Sequence, residues 1–173
     1  MIYTMLDNMM KKVLFFVLCI NNLCLLHAQV PTQVEVKQCM KLVADWQINH
    51  MKEVTHGELN WVNATFYLGL SRWAAIAEQD SHDDSYYKWL MRLGRRNYWQ
   101  VDQRMYHADD ICISQTYLSM YDKYKEREML VPTLARAEWV IMNPPVGSFE
   151  LDYSDATTLE HWTWCDALFM APP

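Results

Sequence analysis

Apolar residues recur along this 173-residue chain at the three- and four-residue spacing of helices, and almost nowhere at the alternating spacing of strands. The segment from Glu35 to Met51 shows this pattern first. Asn60 then caps a second predicted helix, which runs from Trp61 towards Glu78. Because one helical period dominates, the apolar side chains must be buried between helices. The sequence therefore predicts an all-α fold of stacked helical hairpins.

Four more helices are predicted after position 80. Capping residues at 81–84 precede the third, and the acidic pair at 109–110 begins the fourth. The fifth lies near Pro132 and ends at the Asn-Pro-Pro of 143–145; after a loop through 147–159, WTWCDALFM at 162–170 begins the sixth. The apolar stripes of the first five helices are Val36, Met40, Val43 and Trp46; Phe66, Leu70, Trp73 and Ala77; Tyr86, Trp89, Leu90 and Leu93; Ile113, Tyr117, Met120, Tyr121 and Tyr124; and Leu134, Ala137 and Ile141.

The first 28 residues have the pattern of a secretory signal peptide. Lys11 and Lys12 precede an apolar run from Val13 to Ile20, and a small-residue cleavage site ends at Ala28. A membrane anchor is the alternative, but the run falls short of the ~20 apolar residues that a spanning helix needs. We therefore expect 1–28 to be removed and 29–173 to belong to one domain. The protein would be exported to the periplasm or the medium, without membrane contact after cleavage.

Charge and cysteine content narrow the possible partners. The formal net charge of −6 argues against nucleic acid and against an anionic membrane surface. After position 28 the cysteines are Cys39, Cys112 and Cys165, an odd number without CxxC spacing, so buried thiols are expected rather than disulfides or a zinc site. Eight Trp and ten Tyr residues suit a helical core, and the same rings suit a sugar-binding cleft.

The closing segment, HWTWCDALFMAPP at 161–173, places a single carboxylate, Asp166, among Trp, Leu, Phe and Met residues. Such a carboxylate must be hydrogen-bonded, protonated or used in chemistry, because a bare buried charge is costly. We expect Asp166 to face a cleft lined with aromatic rings, where burial would raise its pKa and make it a general acid. A buried structural Asp is the alternative. Trp162 and Trp164 would stack on sugar rings or pack in the core.

A second acidic site lies in RMYHADDICISQ at 104–115. Asp109 and Asp110 are either N-cap and first-turn residues that stabilise a helix, or reactive carboxyls. Arg104 is either a structural residue or a bidentate partner of a substrate carboxylate. His107 and His161 flank the acidic motifs, but their spacing does not require a metal, and no metal or cofactor is expected.

These two motifs, together with ELNWVNATFYLGL at 58–70, resemble glycoside hydrolase families 88 and 105, the unsaturated glucuronyl and rhamnogalacturonyl hydrolases. The likeness extends from Val34 to the last residue, and WCDALFM is its most distinctive part. It implies an (α/α)6 toroid of six helical hairpins, with the active site at one end of the central cavity. Members of these families are about twice as long, so this chain would supply about half of a toroid and leave apolar helix faces exposed.

The resemblance also implies a chemistry. Members act on oligosaccharides released by polysaccharide lyases, whose terminal uronic acid carries a C4–C5 double bond. The residue at the position of Asp166 protonates this vinyl ether and helps water to add, and the resulting hemiketal opens and releases the remaining chain. Asp109, or else Asp110, would orient the sugar or the water. The candidate substrate-binding residues are Trp61, Asn63, Arg104, His107 and Trp164.

The predicted function is removal of a Δ4,5-unsaturated uronic acid from pectin-derived, rhamnogalacturonan-type oligosaccharides. The sequence leaves the adjoining sugar, the oligomeric state and the activity of a chain of this length open. A helical binding or scaffold module is the alternative, in which the aromatic stripes are interhelical packing and the acidic pairs are helix caps.

Overall fold

The computed structural model describes Lys12 and residues 30–146, 150–162 and 164–171. Within these residues every regular element is a helix, which confirms the predicted all-α class. None of the described helices is both long enough and apolar enough to cross a membrane. Apart from Lys12, the predicted signal peptide at 1–28 lies outside the described residues.

From residue 30 onwards, the described α-helices are α1 (Gln33–His50), α2 (Trp61–Ser81), α3 (Ser85–Arg96), α4 (Ala108–Ile111), α5 (Ser114–Tyr124), α6 (Val131–Met142), α7 (Ala156–Glu160) and α8 (Ala167–Met170). Short 3-10 turns at Met51–Glu53 and Arg127–Met129 follow α1 and α5. The predicted cap of α2 is confirmed, because the Asn60 side chain accepts from the Val62 amide at 3.1 Å.

Backbone contacts divide the chain into two units, with the boundary between Cys39 and Met40. In the first unit, a reciprocal cap fixes the start of α1. The Glu35 carboxylate accepts from the Thr32 amide at 2.8 Å, and the Thr32 hydroxyl accepts from the Glu35 amide at 3.3 Å. The hydrogen bonds from Thr32 lower the pKa of the Glu35 carboxyl.

The core of the second unit lies between α2, α3 and α5, each of which packs against the other two. Its fully buried large side chains include Tyr67, Leu70, Leu90, Leu93, Tyr117 and Met120. Burying an aliphatic side chain of this size contributes about 1.5–3 kcal/mol relative to exposure. The predicted apolar stripes of these three helices are thereby confirmed, although each stripe also includes a partly buried ring.

The apolar stripes of α1 and α6 are largely exposed. Their exposed members are Val36, Val43, Trp46, Leu134, Ala137 and Ile141. The buried residues of these helices are Ala44 in α1 and Arg136 in α6. The helical period thus predicted the positions of the apolar stripes, but not which stripes would be buried among the described residues.

Three elements differ from their predicted extents. The single helix predicted from Asp109 onwards is two helices, α4 and α5, because the carbonyls of Cys112 and Ile113 accept from amides three residues ahead. The loop predicted at 147–159 contains the start of α7, whose N-cap is Asp155. The sixth predicted helix is only the four-residue α8.

Gly94 lies in α3 beneath the ring of Trp99, which is itself buried. A Cβ atom at position 94 would overlap that ring, so Gly94→Ala is expected to destabilise the protein by about 1–3 kcal/mol. Gly69→Ala is the matched control, because a Cβ atom there meets no neighbour. Because alanine has a higher helix propensity than glycine, Gly69→Ala should gain about 0.5–1 kcal/mol of stability. Urea unfolding followed by circular dichroism measures the free energy of unfolding of both variants. If Gly94→Ala were as stable as the wild type, the packing of Trp99 on Gly94 would be contradicted.

Candidate active site

The loop and helix around the first acidic motif lie against the closing segment. The indole N–H of Trp162 donates to the carbonyl oxygen of Tyr106 at 2.6 Å. The rings of His107 and Trp164 lie 4.8 Å apart between centroids. Helix α4 also packs against α8, although residues 112–166 separate them in sequence. The structure therefore brings the two acidic motifs, which the sequence analysis identified separately, into one site.

His107 is the N-cap of α4, and both Asp109 and Asp110 lie in its first turn. The ring atom Nδ1 accepts the backbone N–H of Asp109 at 3.3 Å, which leaves the ring proton on Nε2. Burial lowers the pKa of His107, and the Arg104 charge lowers it further, so the ring is neutral at pH 7. Nδ1 lies 3.8 Å from the Asp109 carboxylate, but because the ring is neutral the two groups do not form an ion pair.

Asp110 is 4% exposed, and both of its carboxylate oxygens accept hydrogen bonds. Oδ1 accepts from Nε and Nη2 of Arg104 at 3.0 and 2.5 Å, and Oδ2 accepts from the Arg104 backbone N–H at 2.7 Å. The backbone carbonyl of Asp110 accepts from the Asp102 amide at 2.9 Å. Asp110 thus ties the loop that precedes α4 to the helix, which is a structural role.

Asp109 has a different environment, although it lies on the same turn. Its side chain is 19% exposed, and its carboxylate accepts no hydrogen bond from the described residues. Burial raises the pKa of this carboxyl; the Arg104 charge opposes the rise, and the charges of Asp166 and Asp110 add to it. An unbonded carboxyl with a raised pKa, close to a second carboxyl, is typical of groups that transfer protons or position reactants.

The raised pKa of Asp109 predicts how its removal affects stability. The folded protein binds this proton more tightly than the unfolded chain does, so ionisation of Asp109 costs stability. The favourable contribution is complete below the ordinary pKa of 3.8 and is lost as the pH rises through the raised value. Asp109→Asn is therefore expected to be more stable than the wild type near neutral pH, with a difference that shrinks on acidification. Thermal unfolding across this range measures the trend, and a variant less stable at neutral pH would contradict it.

Asp166 is exposed, and it precedes α8 without a side-chain capping bond. The expectation that it lies in an enclosed, ring-lined cleft is therefore wrong for the described residues. Only one side of the closing segment is covered: Ala167 and Met170 are buried, whereas Leu168 and Phe169 are exposed. Asp166 nevertheless lies near the first acidic motif, because α8, which follows it, packs against α4, and its charge helps to raise the pKa of Asp109.

Arg104 has the structural role that the sequence analysis considered, and its binding of a substrate carboxylate stays a prediction. Its Nε and Nη2 atoms bind Asp110, which makes it structural. Its side chain is nevertheless 47% exposed, and Nη1 donates to no described acceptor, so a carboxylate from solution can still bind there. Trp164, which lies against His107, is partly buried.

Trp61 and Asn63 show no described hydrogen bond or ring contact with the acidic pair. Asn63 is buried, and its Nδ2 donates to the Gly57 carbonyl at 2.8 Å, which fixes the loop before α2. Trp61 is the exposed first residue of α2, and α2 does pack against α4. A place for these two residues in the sugar subsite stays a prediction.

Two residues that hydrogen-bond to the backbone of the site were missed in the sequence. Arg136 is buried in α6 and donates to backbone carbonyls of the loop before α4. Gln115 donates to the Phe169 carbonyl at 2.5 Å and joins α5 to α8. The only signal for Arg136 was a charged residue within the apolar sequence VPTLARAEWVIM, and Gln115 carried no signal at all.

The described residues contain no cluster of three His, Cys, Asp or Glu side chains placed to hold a metal ion. The ring of His161 packs edge-on against Tyr106 instead. The three described cysteines are free, but only Cys112 is buried, so the expectation of buried thiols is wrong for Cys39 and Cys165. Burial raises the pKa of the Cys112 thiol to about 11, which keeps it protonated.

The sequence matches Glycosyl Hydrolase Family 88 over residues 23–173. It is 33% identical over 121 residues to an unsaturated 3S-rhamnoglycuronyl hydrolase of Alteromonas sp. (strain LOR), a match that covers 65% of this chain and 29% of the relative. It is 31% identical over 144 residues to an enzyme of the same name from Formosa agariphila, covering 82% of this chain and 36% of the relative. The chain thus spans about a third of the length of these relatives, which is less than the half that the sequence analysis expected. With a match over most of its length, the chain belongs to Glycosyl Hydrolase Family 88.

Proposed function

We propose that this protein removes a Δ4,5-unsaturated uronic acid from the end of an oligosaccharide by hydrating its vinyl ether. The observation that carries the proposal is the packing of α4, which contains Asp109, against α8, which follows Asp166, beside an accessible arginine and partly buried aromatic rings. Ordinary glycosidases place two carboxyls across a glycosidic bond and displace it directly. In hydration, a carboxyl donates a proton to C4 and water adds to C5. The resulting hemiketal opens, and the remaining sugar chain leaves.

We assign the proton transfer to Asp166. Its exposure is compatible with this role if the substrate provides the cover, because a sugar bound against Trp164 would displace water from the carboxyl. Asp109 would orient the attacking water or the sugar, and Asp110 is set aside because both of its oxygens already bind Arg104.

Arg104 would bind the uronate carboxylate through its Nη1 atom. A carboxylate bound there would lie beside the site in which Asp109 and Asp166 interact. Trp164, and by the resemblance Trp61 and Asn63, would contact the sugar rings.

The substrate is expected to be a rhamnogalacturonan-type oligosaccharide released from pectin by a lyase. The names of the two relatives favour a second candidate, an unsaturated 3S-rhamnoglycuronyl oligosaccharide. Both candidates are unsaturated uronyl oligosaccharides, so the proposed chemistry is common to them; they differ in the saccharide attached to that end, which the relatives' name gives as 3S-rhamno.

Turnover of a lyase-generated oligosaccharide tests this function. The ultraviolet absorbance of the C4–C5 double bond should fall when the intact protein is added, and the saturated oligosaccharide should remain uncleaved. Running both candidate substrates identifies the preferred adjoining sugar. If neither loses its absorbance, or if the saturated substrate is cleaved equally well, hydration is not the reaction.

We further propose that the protein is exported. Lys11 and Lys12, the apolar run that follows them and the cleavage site at Ala28 support this proposal. Mass spectrometry of the protein recovered from the periplasm or the medium should find Gln29 as its first residue. Recovery of the uncleaved chain from the cytoplasm would refute export.

A further inference from the structure

The loop between α3 and α4 carries Arg104 into the site, yet it contains no regular structure between 101 and 107. One side of this loop is held by Asp110. The carboxylate of Asp110 binds the Arg104 side chain and backbone, and its carbonyl binds the Asp102 amide. These bonds come from the helix that the loop precedes, and they engage the N–H groups of Asp102 and Arg104 but not their carbonyls.

The carbonyls are held by Arg136, from the second turn of α6. Its Nη1 donates to the Arg104 carbonyl at 2.9 Å, and its Nη2 donates to the Asp102 carbonyl at 2.7 Å. Arg136 is 8% exposed, and no described carboxylate hydrogen-bonds to it. A buried guanidinium is costly unless its donors are satisfied. Two carbonyls of one short segment accept from two of its five N–H groups, so the loop and Arg136 depend on each other.

The Arg104 charge lowers the pKa of two groups in the site, the Asp109 carboxyl and the His107 ring. Arg104 can act in this way only while its guanidinium stays beside α4. The segment from Asp102 to Arg104 determines that position; Arg136 anchors its carbonyls, and Asp110 anchors its N–H groups.

We propose that Arg136 is a positioning residue of this site: by binding the carbonyls of Asp102 and Arg104, it holds the Arg104 guanidinium beside Asp109 with Nη1 free for a substrate carboxylate. Its effect on substrate binding rests on the proposed function. Its effect on the position of Arg104 does not, since it follows from the hydrogen bonds alone.

The test compares Arg136→Met and Arg136→Lys in the intact protein. Methionine removes both donors, whereas lysine keeps one cationic nitrogen that can reach a carbonyl. With the unsaturated substrate, kcat/KM of Arg136→Met should fall about tenfold or more, mainly through KM, with partial recovery in Arg136→Lys. Arg95→Met is the control, because it also deletes a guanidinium but from a surface pair with Glu126.

A readout independent of turnover is the titration of the Asp109 carboxyl carbon by NMR. The charges that act on it are those of Arg104, Asp166 and Asp110, and the His107 ring faces it with Nδ1 at 3.8 Å. Displacing Arg104 should raise the pKa of Asp109 in Arg136→Met, and by less in Arg136→Lys, with no change in Arg95→Met. If the folded Arg136 variants titrate at Asp109 as the wild type does, the proposal is wrong. Should Arg136→Met not fold, Arg136→Lys decides by the same criterion. A wild type without turnover would reject the proposed function while this titration still decides the role of Arg136.

Discussion

Asp166→Asn is expected to lower kcat for the unsaturated oligosaccharide by about 10²–10⁴-fold, the usual contribution of a general acid. Asparagine keeps the size and polarity of the side chain but has no proton to give to C4. Because Asp166 is exposed and makes no capping bond, the substitution should leave the fold intact. The loss should therefore appear in kcat, with little change in KM.

The measurement is the initial rate at which the double-bond absorbance disappears, at saturating substrate. Cys165→Ser is the matched control, since Cys165 is the exposed neighbour of Asp166 and has no assigned role. Its rate should equal that of the wild type. Circular dichroism verifies that both variants are folded. Turnover by Asp166→Asn at the wild-type rate would remove Asp166 from the mechanism and direct attention to Asp109, whose pKa is raised by burial.

Helix periodicity predicted the elements of the core because it depends on spacing alone. Leu70, Leu90 and Tyr117 lie on helices long enough for the 3.6-residue repeat to be unambiguous, and all three are buried. The same repeat in α6 gave no indication that Leu134 and Ile141 would be exposed. Burial depends on which element packs against a face, and a local pattern does not contain that information.

In the candidate site too, some features could be predicted from the sequence and others depended on packing. Proximity of the two acidic motifs followed from the family resemblance, and the contact between His107 and Trp164 agrees with it. The choice between Asp109 and Asp110 was open in the sequence, because adjacent residues on a helix share their local surroundings and point about 100° apart. Only the position of Arg104, which comes from the preceding loop, separates the hydrogen-bonded carboxylate from the free one. The exposure of Asp166 was predicted wrongly, because apolar neighbours in sequence need not surround a side chain in space.

Asp110→Asn is expected to destabilise the protein by about 2–4 kcal/mol. Both carboxylate oxygens of Asp110 are acceptors: Oδ1 binds the Arg104 guanidinium, and Oδ2 binds the Arg104 backbone N–H. An asparagine amide has only one acceptor oxygen. In either orientation its NH₂ group therefore faces an N–H donor of Arg104, and one hydrogen bond is lost. Breaking a buried ion pair costs about 3–5 kcal/mol, and the partial exposure of Arg104 lets water recover some of that loss.

Urea unfolding compares this variant with Asp122→Asn, in which the lost partner is Lys125 and the carboxylate is 81% exposed. That control should change the free energy of unfolding by no more than about 0.5 kcal/mol. Asp109→Asn provides the second comparison, because near neutral pH it should move stability in the opposite direction from Asp110→Asn. If the free energy of unfolding falls in Asp110→Asn and rises in Asp109→Asn, the Asp110 carboxylate stabilises the loop, whereas the ionised Asp109 carboxylate destabilises the folded protein. If Asp110→Asn were as stable as Asp122→Asn, the Arg104 contact would not be what holds the loop in place.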